Sequence, residues 1–178
     1  MSSALRKSLV DLLVASGVEN ADEAQALAAK QNNGHSWTVE VLNSGKVDEG
    51  KFTRALGELF RTPVAEVNLD RIDRAVLGSL PSRFVFKHHI LPLRATDTSV
   101  QLATYDVFNT VGRRLAAQLL KRKIEWVLVP RTQLLRAIKT LYGVGAETFE
   151  ELLQSNRTFD AGDEGVQAMD IDEESPEA

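Results

Sequence analysis

Cysteine is absent from this 178-residue sequence, which excludes disulfides, thiolate metal ligands and thiol nucleophiles. No apolar run approaches the roughly 18 residues that a membrane-spanning helix requires, so we expect no insertion into a membrane. The first residues also lack the apolar segment and cleavage site of a secretory signal. These absences predict a cytoplasmic protein.

The sequence also lacks the motifs of the common catalytic and metal sites. Its glycine pair Gly143–Gly145 is not followed by the lysine of a phosphate-binding loop. His88 and His89 are adjacent at the predicted start of a strand, where they would point to opposite faces, and His35 is distant in a loop. We therefore expect no catalytic residue, no metal, no cofactor and no enzymatic activity.

The net charge of −4 is unevenly distributed along the chain. Residues 157–178 contain eight acidic side chains and one basic side chain, so the rest of the chain carries a net charge of about +3. The acidic segment has too few large apolar residues to offset the entropy lost on ordering. We predict a disordered acidic tail over residues 156–178.

Residues 1–62 show the spacing of two helix pairs. Predicted helices cover Leu5–Ala15, Ala21–Gln31, Val39–Asn43 and Glu49–Phe60, from apolar positions about 3.6 residues apart and flanking caps. Matching positions recur at an offset of 28 residues, as in Ser16-Gly17 and Ser44-Gly45. This offset indicates an internal repeat, although two unrelated helical hairpins would give a similar pattern.

Residues 63–155 combine strand and helix periods and predict a small mixed domain with a three- to four-stranded sheet. Pro92 places its strand at an edge or a bulge. In the basic helix, Val111, Leu115 and Leu119 are predicted to face inward. The predicted elements are a strand Val64–Leu69, a helix Asp70–Leu80, an extended lead-in Phe84–Phe86, strands Ile90–Ala95 and Val100–Thr104, a helix Val107–Leu120, a strand Ile124–Val129, a helix Arg131–Tyr142 and a helical turn within Glu147–Gln154.

Several motifs in the second region resemble one protein family. Leu80-Pro81 precedes the strand motif Ile90–Leu93 and the step Tyr105–Asn109, and the region closes with Ala137–Gly143. This combination resembles the N-terminal domain of the type II secretion and type IV pilus assembly ATPases of the GspE/PilB kind. The helical repeat is similar to the MshEN region of that family. The resemblance implies an α+β module of a secretion or pilus machine, without the ATPase domain.

In some members of that family, two MshEN copies bind cyclic di-GMP. Here the motif arginines are replaced by Ser8 and Ser36, which cannot supply the bidentate contacts of a guanidinium. The apolar motif positions are equally compatible with an ordinary hydrophobic core. If a cyclic dinucleotide bound, the resemblance implies a site formed by Leu9, Gly17, Gln31, Trp37, Gly45, Phe52 and Leu56.

Basic residues are concentrated between positions 113 and 139, where Glu125 is the only acidic residue. Such a cluster suits an acidic protein partner, the chain's own tail, nucleic acid, a membrane surface or a solvated face. The small charge of the body disfavours nucleic acid. The predicted protein-binding residues are Arg113, Arg114, Lys121, Arg122, Lys123, Arg136 and Lys139.

Together these observations predict a non-enzymatic interaction or regulatory module of a type II secretion or type IV pilus-like system. The resemblance implies that its partner is an inner-membrane platform protein or a motor ATPase. Two alternatives remain open at this point: a cyclic di-GMP receptor, and the excised N-terminal domain of a longer ATPase. The acidic ending favours a stand-alone chain over an excised one.

Overall fold

The computed structural model describes residues 2–30 and 36–143, and these residues have the predicted α+β architecture. The predicted tail 156–178, the helical turn at Glu147–Gln154 and Gln31 lie outside the described residues. In chain order the elements are α1 (Ser3–Ala15), α2 (Ala21–Ala28), α3 (Trp37–Asn43), α4 (Glu49–Leu59), α5 (Ser82–His88), β1 (Leu91–Ala95), β2 (Ser99–Thr104), α6 (Thr110–Leu120), β3 (Lys123–Leu128) and α7 (Arg131–Leu141). Within these ranges, no helix is both long enough and apolar enough to cross a membrane.

The first four helices form two helical hairpins with equivalent caps. In both hairpins the first helix ends in a serine C-cap, whose hydroxyl donates a hydrogen bond to a carbonyl of the last turn. The next residue is a glycine, with φ of +110° in Gly17 and +71° in Gly45, a conformation that glycine adopts without strain. Asn20 and Asp48 then cap the second helices. The 28-residue offset therefore recurs as equivalent caps.

The sheet has the strand order β1-β2-β3. β1 pairs antiparallel with β2, whereas β2 pairs in parallel with β3 through the α6 crossover. The register shifts between Pro92 and Arg94 in the edge strand β1, as the proline predicted. On the free side of β3, Leu128 N donates to Pro63 O and Ala65 N donates to Leu128 O, both over 2.8 Å. The predicted strand Val64–Leu69 is therefore reduced to one bridge at Val64.

Two other predicted elements are wrong. The segment Asp70–Leu80 is not an α-helix but contains two 3-10 helices, Leu69–Arg71 and Arg74–Ser79. The first begins after Asn68 and the second after Asp73, and each of these side chains accepts a hydrogen bond from the backbone N–H two residues later. Such local hydrogen bonds favour a short turn over a continuous helix.

The prediction that the aromatic segment Phe84–Phe86 is an extended lead-in is also wrong, because this segment lies inside α5. Strand propensity favoured extension, but adjacent positions Phe84 and Val85 both bury their side chains in the core when the segment is helical. The helix ends at His89, whose φ is +52°.

Helix α6 differs from its prediction in both its start and its orientation. It begins at Thr110 rather than Val107. Its predicted inward residues Val111, Leu115 and Leu119 are 57%, 36% and 51% exposed, whereas its buried residues are Gly112 and Ala116. Small side chains let a helix approach its neighbours closely, so the face with the least bulk, rather than the most apolar face, is buried.

Buried side chains form two clusters. One surrounds the sheet and includes residues of α5 and α7, such as Val85 and Ile138. The other fills the helical repeat and includes Phe52 and Leu56, together with Val107 and Leu128 from the second half of the chain. The repeat thus packs against the sheet region.

Gly57→Ala should lower the free energy of unfolding by about 1–3 kcal/mol, the usual cost of overpacking a core. A Cβ atom at this position would lie 2.7 Å from Val64 Cγ2 and 2.8 Å from Thr62 O, where α4 meets the bridge to β3. The matched control is Gly50→Ala on the same helix, whose Cβ atom would have its nearest neighbour at 3.5 Å. Urea unfolding of the three proteins measures the difference, and equal stability of the two variants would contradict this explanation.

Candidate functional site

The apolar residues of the predicted dinucleotide site are core residues. Leu9, Trp37, Phe52 and Leu56 are at most 7% exposed and belong to one cluster. The Trp37 indole N–H donates to Leu27 O over 2.8 Å, which fixes the ring orientation. Gly17 and Gly45 lie in the turns after α1 and α3, and Gln31 is outside the described residues. The structure therefore brings the four apolar residues together, but away from solvent.

An aromatic cluster joins the helical repeat to the segment before α6. The ring centroid of Phe108 lies 5.7 Å from that of Trp37 and 5.3 Å from that of Phe60, both edge to face. Trp37 also packs on Phe52 at 5.9 Å. Edge-to-face aromatic pairs add about 0.5–1.5 kcal/mol beyond their buried area. Trp37, a residue of the predicted dinucleotide site, thus packs between the two halves of the chain.

Ser8 and Ser36 occupy the positions of the two missing motif arginines. Ser8 is a partly buried residue in α1. Ser36 is the N-cap of α3, and its Oγ accepts the Val39 N–H over 3.3 Å. The Ser36 hydroxyl also interacts with the buried Asp106 carboxyl. The second motif position therefore links the repeat to the start of α6.

Asp106 is 6% exposed, and burial raises the pKa of its carboxyl above the ordinary value. The Ser36 hydroxyl and the Phe108 N–H, 2.9 Å from Oδ1, act in the opposite direction because they favour the charged form. The Thr38 hydroxyl also lowers the pKa of Asp106. Its buried Oγ1 nevertheless has no hydrogen-bond partner among the described residues. The carboxylate is thus held by groups from both halves of the chain.

The step Tyr105–Asn109, which carried much of the family resemblance, organises the start of α6. Asn109 Oδ1 accepts the Gly112 N–H over 3.0 Å, and Asn109 Nδ2 donates to His88 O over 3.1 Å. One side chain therefore caps α6 and attaches it to the end of α5. The polar side chain of Asn109 therefore has a structural role in this chain.

A second link between the two halves joins α4 to α7. Glu49 Oε1 accepts the Thr132 N–H over 2.6 Å, and its Oε2 accepts the Thr132 hydroxyl over 2.8 Å. Arg131 Nη1 donates to Asn43 Oδ1 over 2.8 Å. Because α7 follows Pro130 and has no side-chain cap of its own, Glu49 supplies both an acceptor and a negative charge at its N-terminus. Sequence reasoning missed this contact because no local pattern marks a cap that is 83 residues away.

The predicted basic surface divides between two elements. Arg113 and Arg114 lie on α6, and Lys121–Lys123 form the turn into β3, whereas Arg136 and Lys139 lie on α7. The Arg113 guanidinium is 4.9 Å from the Trp126 ring centroid and donates to Val107 O over 3.3 Å. It therefore contributes to folding through a cation–π contact. Arg114 and Arg136 are exposed.

The adjacent histidines lie at the end of α5, not at the start of a strand as predicted. The His88 ring packs 4.7 Å from Phe84, and His89 Nδ1 lies 3.2 Å from the Tyr105 hydroxyl. Burial, with smaller contributions from Arg131 and His88, lowers the pKa of His89 to about 4. Among residues 2–30 and 36–143, no three acidic or histidine side chains converge as metal ligands would.

The described chain is an α+β module in which a duplicated helical hairpin packs on a small mixed sheet. Solved structures share this fold. The structure described as MshE with cdg has a TM-score of 0.60 and 23% identity, covering 75% of this chain and 98% of that one. The N-terminal domain of XpsE has a TM-score of 0.61 and 16% identity, covering 78% and 96% respectively. A second crystal form of XpsE gives a TM-score of 0.51.

The sequence model of the MshEN domain family matches residues 60–148, half of the chain. The chain belongs to the MshEN domain family, and the predicted resemblance to the N-terminal domains of GspE/PilB-type ATPases is confirmed. The matched residues lie in the α+β half, whereas the sequence resemblance attached the name MshEN to the helical repeat. No curated protein matches the chain.

The His89→Asn variant should lose a pH-dependent part of the wild-type stability. The unfolded chain protonates His89 near pH 6.5, but the folded ring remains neutral down to about pH 4. The unfolded state therefore binds more protons in this window, and acidification from about pH 6.5 to 4 should reduce the wild-type free energy of unfolding by up to about 3 kcal/mol. This figure is an upper value because the ring is partly exposed.

Asparagine suits the position because it tolerates the positive φ of His89. Urea unfolding at several pH values gives the difference between variant and wild type, in which the opposite contribution of Asp106 cancels. Parallel pH curves for the two proteins would show that His89 is not the source.

Proposed function

We propose that the chain is a non-enzymatic interaction module of a type II secretion or type IV pilus-like system, located in the cytoplasm. Its membership of the MshEN family carries this proposal. The folds of MshE and XpsE support it, since the XpsE structure is an N-terminal domain rather than a complete motor. The sequence contains no phosphate-binding loop. The module therefore acts by contact rather than by turnover of ATP.

The proposed partner is the cytoplasmic domain of an inner-membrane platform protein, or the motor ATPase of the same system. We expect the surface for such a contact to lie outside the two buried clusters. The Asp106 and Glu49 carboxyl groups already accept hydrogen bonds from within the chain. The predicted basic residues Arg114, Lys121 and Arg136 are exposed and available for an acidic partner.

A cyclic di-GMP receptor is the second candidate, and one observation favours it: the shared fold with the structure described as MshE with cdg, in which we take cdg to be cyclic di-GMP. The local chemistry points the other way. Ser36 is engaged as an N-cap, and Trp37 and Phe52 are buried in the core, so neither arginine contacts nor an open stacking surface is supplied.

Binding to purified partner domains tests the principal proposal. We expect the full chain to associate with either the cytoplasmic platform domain or the motor ATPase from its own system, in a manner weakened by salt because exposed cations contribute. Biolayer interferometry at low and high salt measures this, with an unrelated acidic protein of similar size as the control. Absence of binding to both domains at concentrations suited to transient complexes would refute the proposal.

Cyclic di-GMP at micromolar concentration should produce no saturable heat with this chain, because the bidentate phosphate and guanine contacts are missing. Isothermal titration calorimetry checks this, with the MshE N-terminal domain as the positive control. A micromolar dissociation constant for this chain would replace the interaction module with the receptor as the proposed function.

A further inference from the structure

Helix α6 exposes an apolar row that the fold leaves uncovered. Six large apolar side chains are at least 36% exposed in the part of the chain that the structure describes, and three of them lie on this helix. Val111, Leu115 and Leu119 follow one another at four-residue spacing, which places successive members about 40° apart around the axis. We call these three residues the α6 row. They form one continuous stripe rather than scattered exposed positions.

The α6 row runs between the buried face of the helix and a polar edge. Gly112 and Ala116 lie on its buried side, while helical geometry puts Arg114 and Gln118 along its outer side. A second helix lying along the row would therefore contact apolar side chains at its centre and Arg114 at its margin. Apolar positions spaced in this way are the usual anchors for helix-on-helix packing.

The charges on α6 itself and on the turn that follows it have one sign. No acidic residue occurs in α6, and the turn that follows it is Lys121–Lys123. The nearest acid in sequence, Glu125, alternates along β3 with Trp126 and so points to the opposite face of the sheet. Arg113 lies over Trp126, which places α6 on the Trp126 face. The row is thus bordered by Arg114 on its outer side and by Lys121–Lys123 at its C-terminal end, where Arg122 also contacts the β1–β2 turn that contains Asp97.

This charge pattern favours some binding partners of the α6 row over others. In an antiparallel pairing of two copies of α6, Arg114 of one copy would approach the cations of the other, and like charges across an interface are unfavourable. An interfacial membrane helix buries a broad apolar face, whereas the row presents three aliphatic side chains on a helix of 11 residues. A partner helix with acidic residues beside its apolar stripe satisfies both the apolar row and its cationic border.

We propose that the α6 row is a docking surface for an amphipathic, acidic helix of a partner protein. The proposal rests on the proposed interaction function and names the surface and partner chemistry for it. Val111, Leu115 and Leu119 would supply the apolar contact, and Arg114 with Lys121 would orient the acidic edge of the partner. Of the predicted basic residues, those on α7 are not part of this surface.

The probe is a synthetic amphipathic peptide of about 20 residues, long enough to form a helix, with leucines on one face and glutamates beside them. Titration into the isotope-labelled full chain should shift amide signals of α6 and the Lys121–Lys123 turn. A matched peptide with lysine in place of every glutamate should leave them unchanged. Shifts confined to other elements, or equal shifts with both peptides, would overturn the proposal.

Substitution of the α6 row provides the second arm. Replacing Val111, Leu115 and Leu119 together by glutamine should weaken peptide binding at least about tenfold, since a few apolar anchors dominate such contacts. The control replaces Val14 and Leu59, exposed apolar residues on α1 and α4, by glutamine and should bind as wild type. Because all five positions are exposed, both variants should fold, and circular dichroism checks this.

The charge arm compares Arg114→Glu with Arg136→Glu, an exposed arginine on α7. The first should weaken binding of the glutamate peptide and remove much of its salt dependence, while the second should not. Equal effects of the two substitutions would show that general electrostatic attraction, rather than the α6 row, holds the peptide.

Two further measurements show whether a second copy of the chain or its own acidic segment, rather than a partner protein, covers the α6 row. Concentration-dependent sedimentation that the glutamine variant abolishes would assign the row to a second copy of the chain and overturn the proposal. Signals of residues 157–178 that change with the α6 substitutions would instead assign it to the chain's own acidic segment, with the same consequence.

The partner domains separate this inference from the proposed function. If wild type and the α6 glutamine variant bind a partner domain equally, the interaction function stands and the α6 surface is wrong. If neither domain binds but the glutamate peptide occupies α6, the surface stands and the proposed partners are wrong.

Discussion

The packing of the start of α3 against the segment that precedes α6 is the constraint on which the rest of this structure depends. Asp106 belongs to the segment that starts α6, whereas Ser36 starts the second copy of the helical repeat. A buried carboxylate is costly unless donors surround it. Trp37 and Phe108 belong to these two segments and pack edge to face, with ring centroids 5.7 Å apart. Burial of these rings stabilises the junction between the two halves of the chain.

The link between Glu49 and α7 acts in the same way from the other end of the repeat. Its carboxylate completes the N-terminus of a helix that has no side-chain cap of its own. Because Asn43 also accepts a hydrogen bond from Arg131, the α3–α4 hairpin is fixed to α7 through two side chains. Asn43 and Glu49 of the α3–α4 hairpin thus form hydrogen bonds within the chain, to residues of α7. Trp37 and Phe52, which the sequence analysis placed in a possible dinucleotide site, are core residues of this part of the chain.

For the proposed interaction function, the consequence is that contact uses surfaces other than the buried repeat. The α6 row is such a surface, since its apolar side chains are separated from the core by the small residues Gly112 and Ala116. Helix packing is set by how closely backbones approach, and a bulky apolar face can be left outside when a smaller face fits better.

Local chemistry in the sequence determined the capped helix pairs, the bulged edge strand at Pro92 and the strand after α6, because caps, glycines at positive φ and strand alternation act over a few residues. The parallel pairing of that strand with β2 was decided by the tertiary structure. Position-by-position similarity also indicated the family. Tertiary structure alone decided that Val111 and its neighbours face solvent, that Asp70–Leu80 forms 3-10 helices and that Phe84–Phe86 is helical. It also decided the burial of Asp106 and the capping of α7 by Glu49. These features depend on which residues meet across long sequence separations, and periodicity within one element does not contain that information.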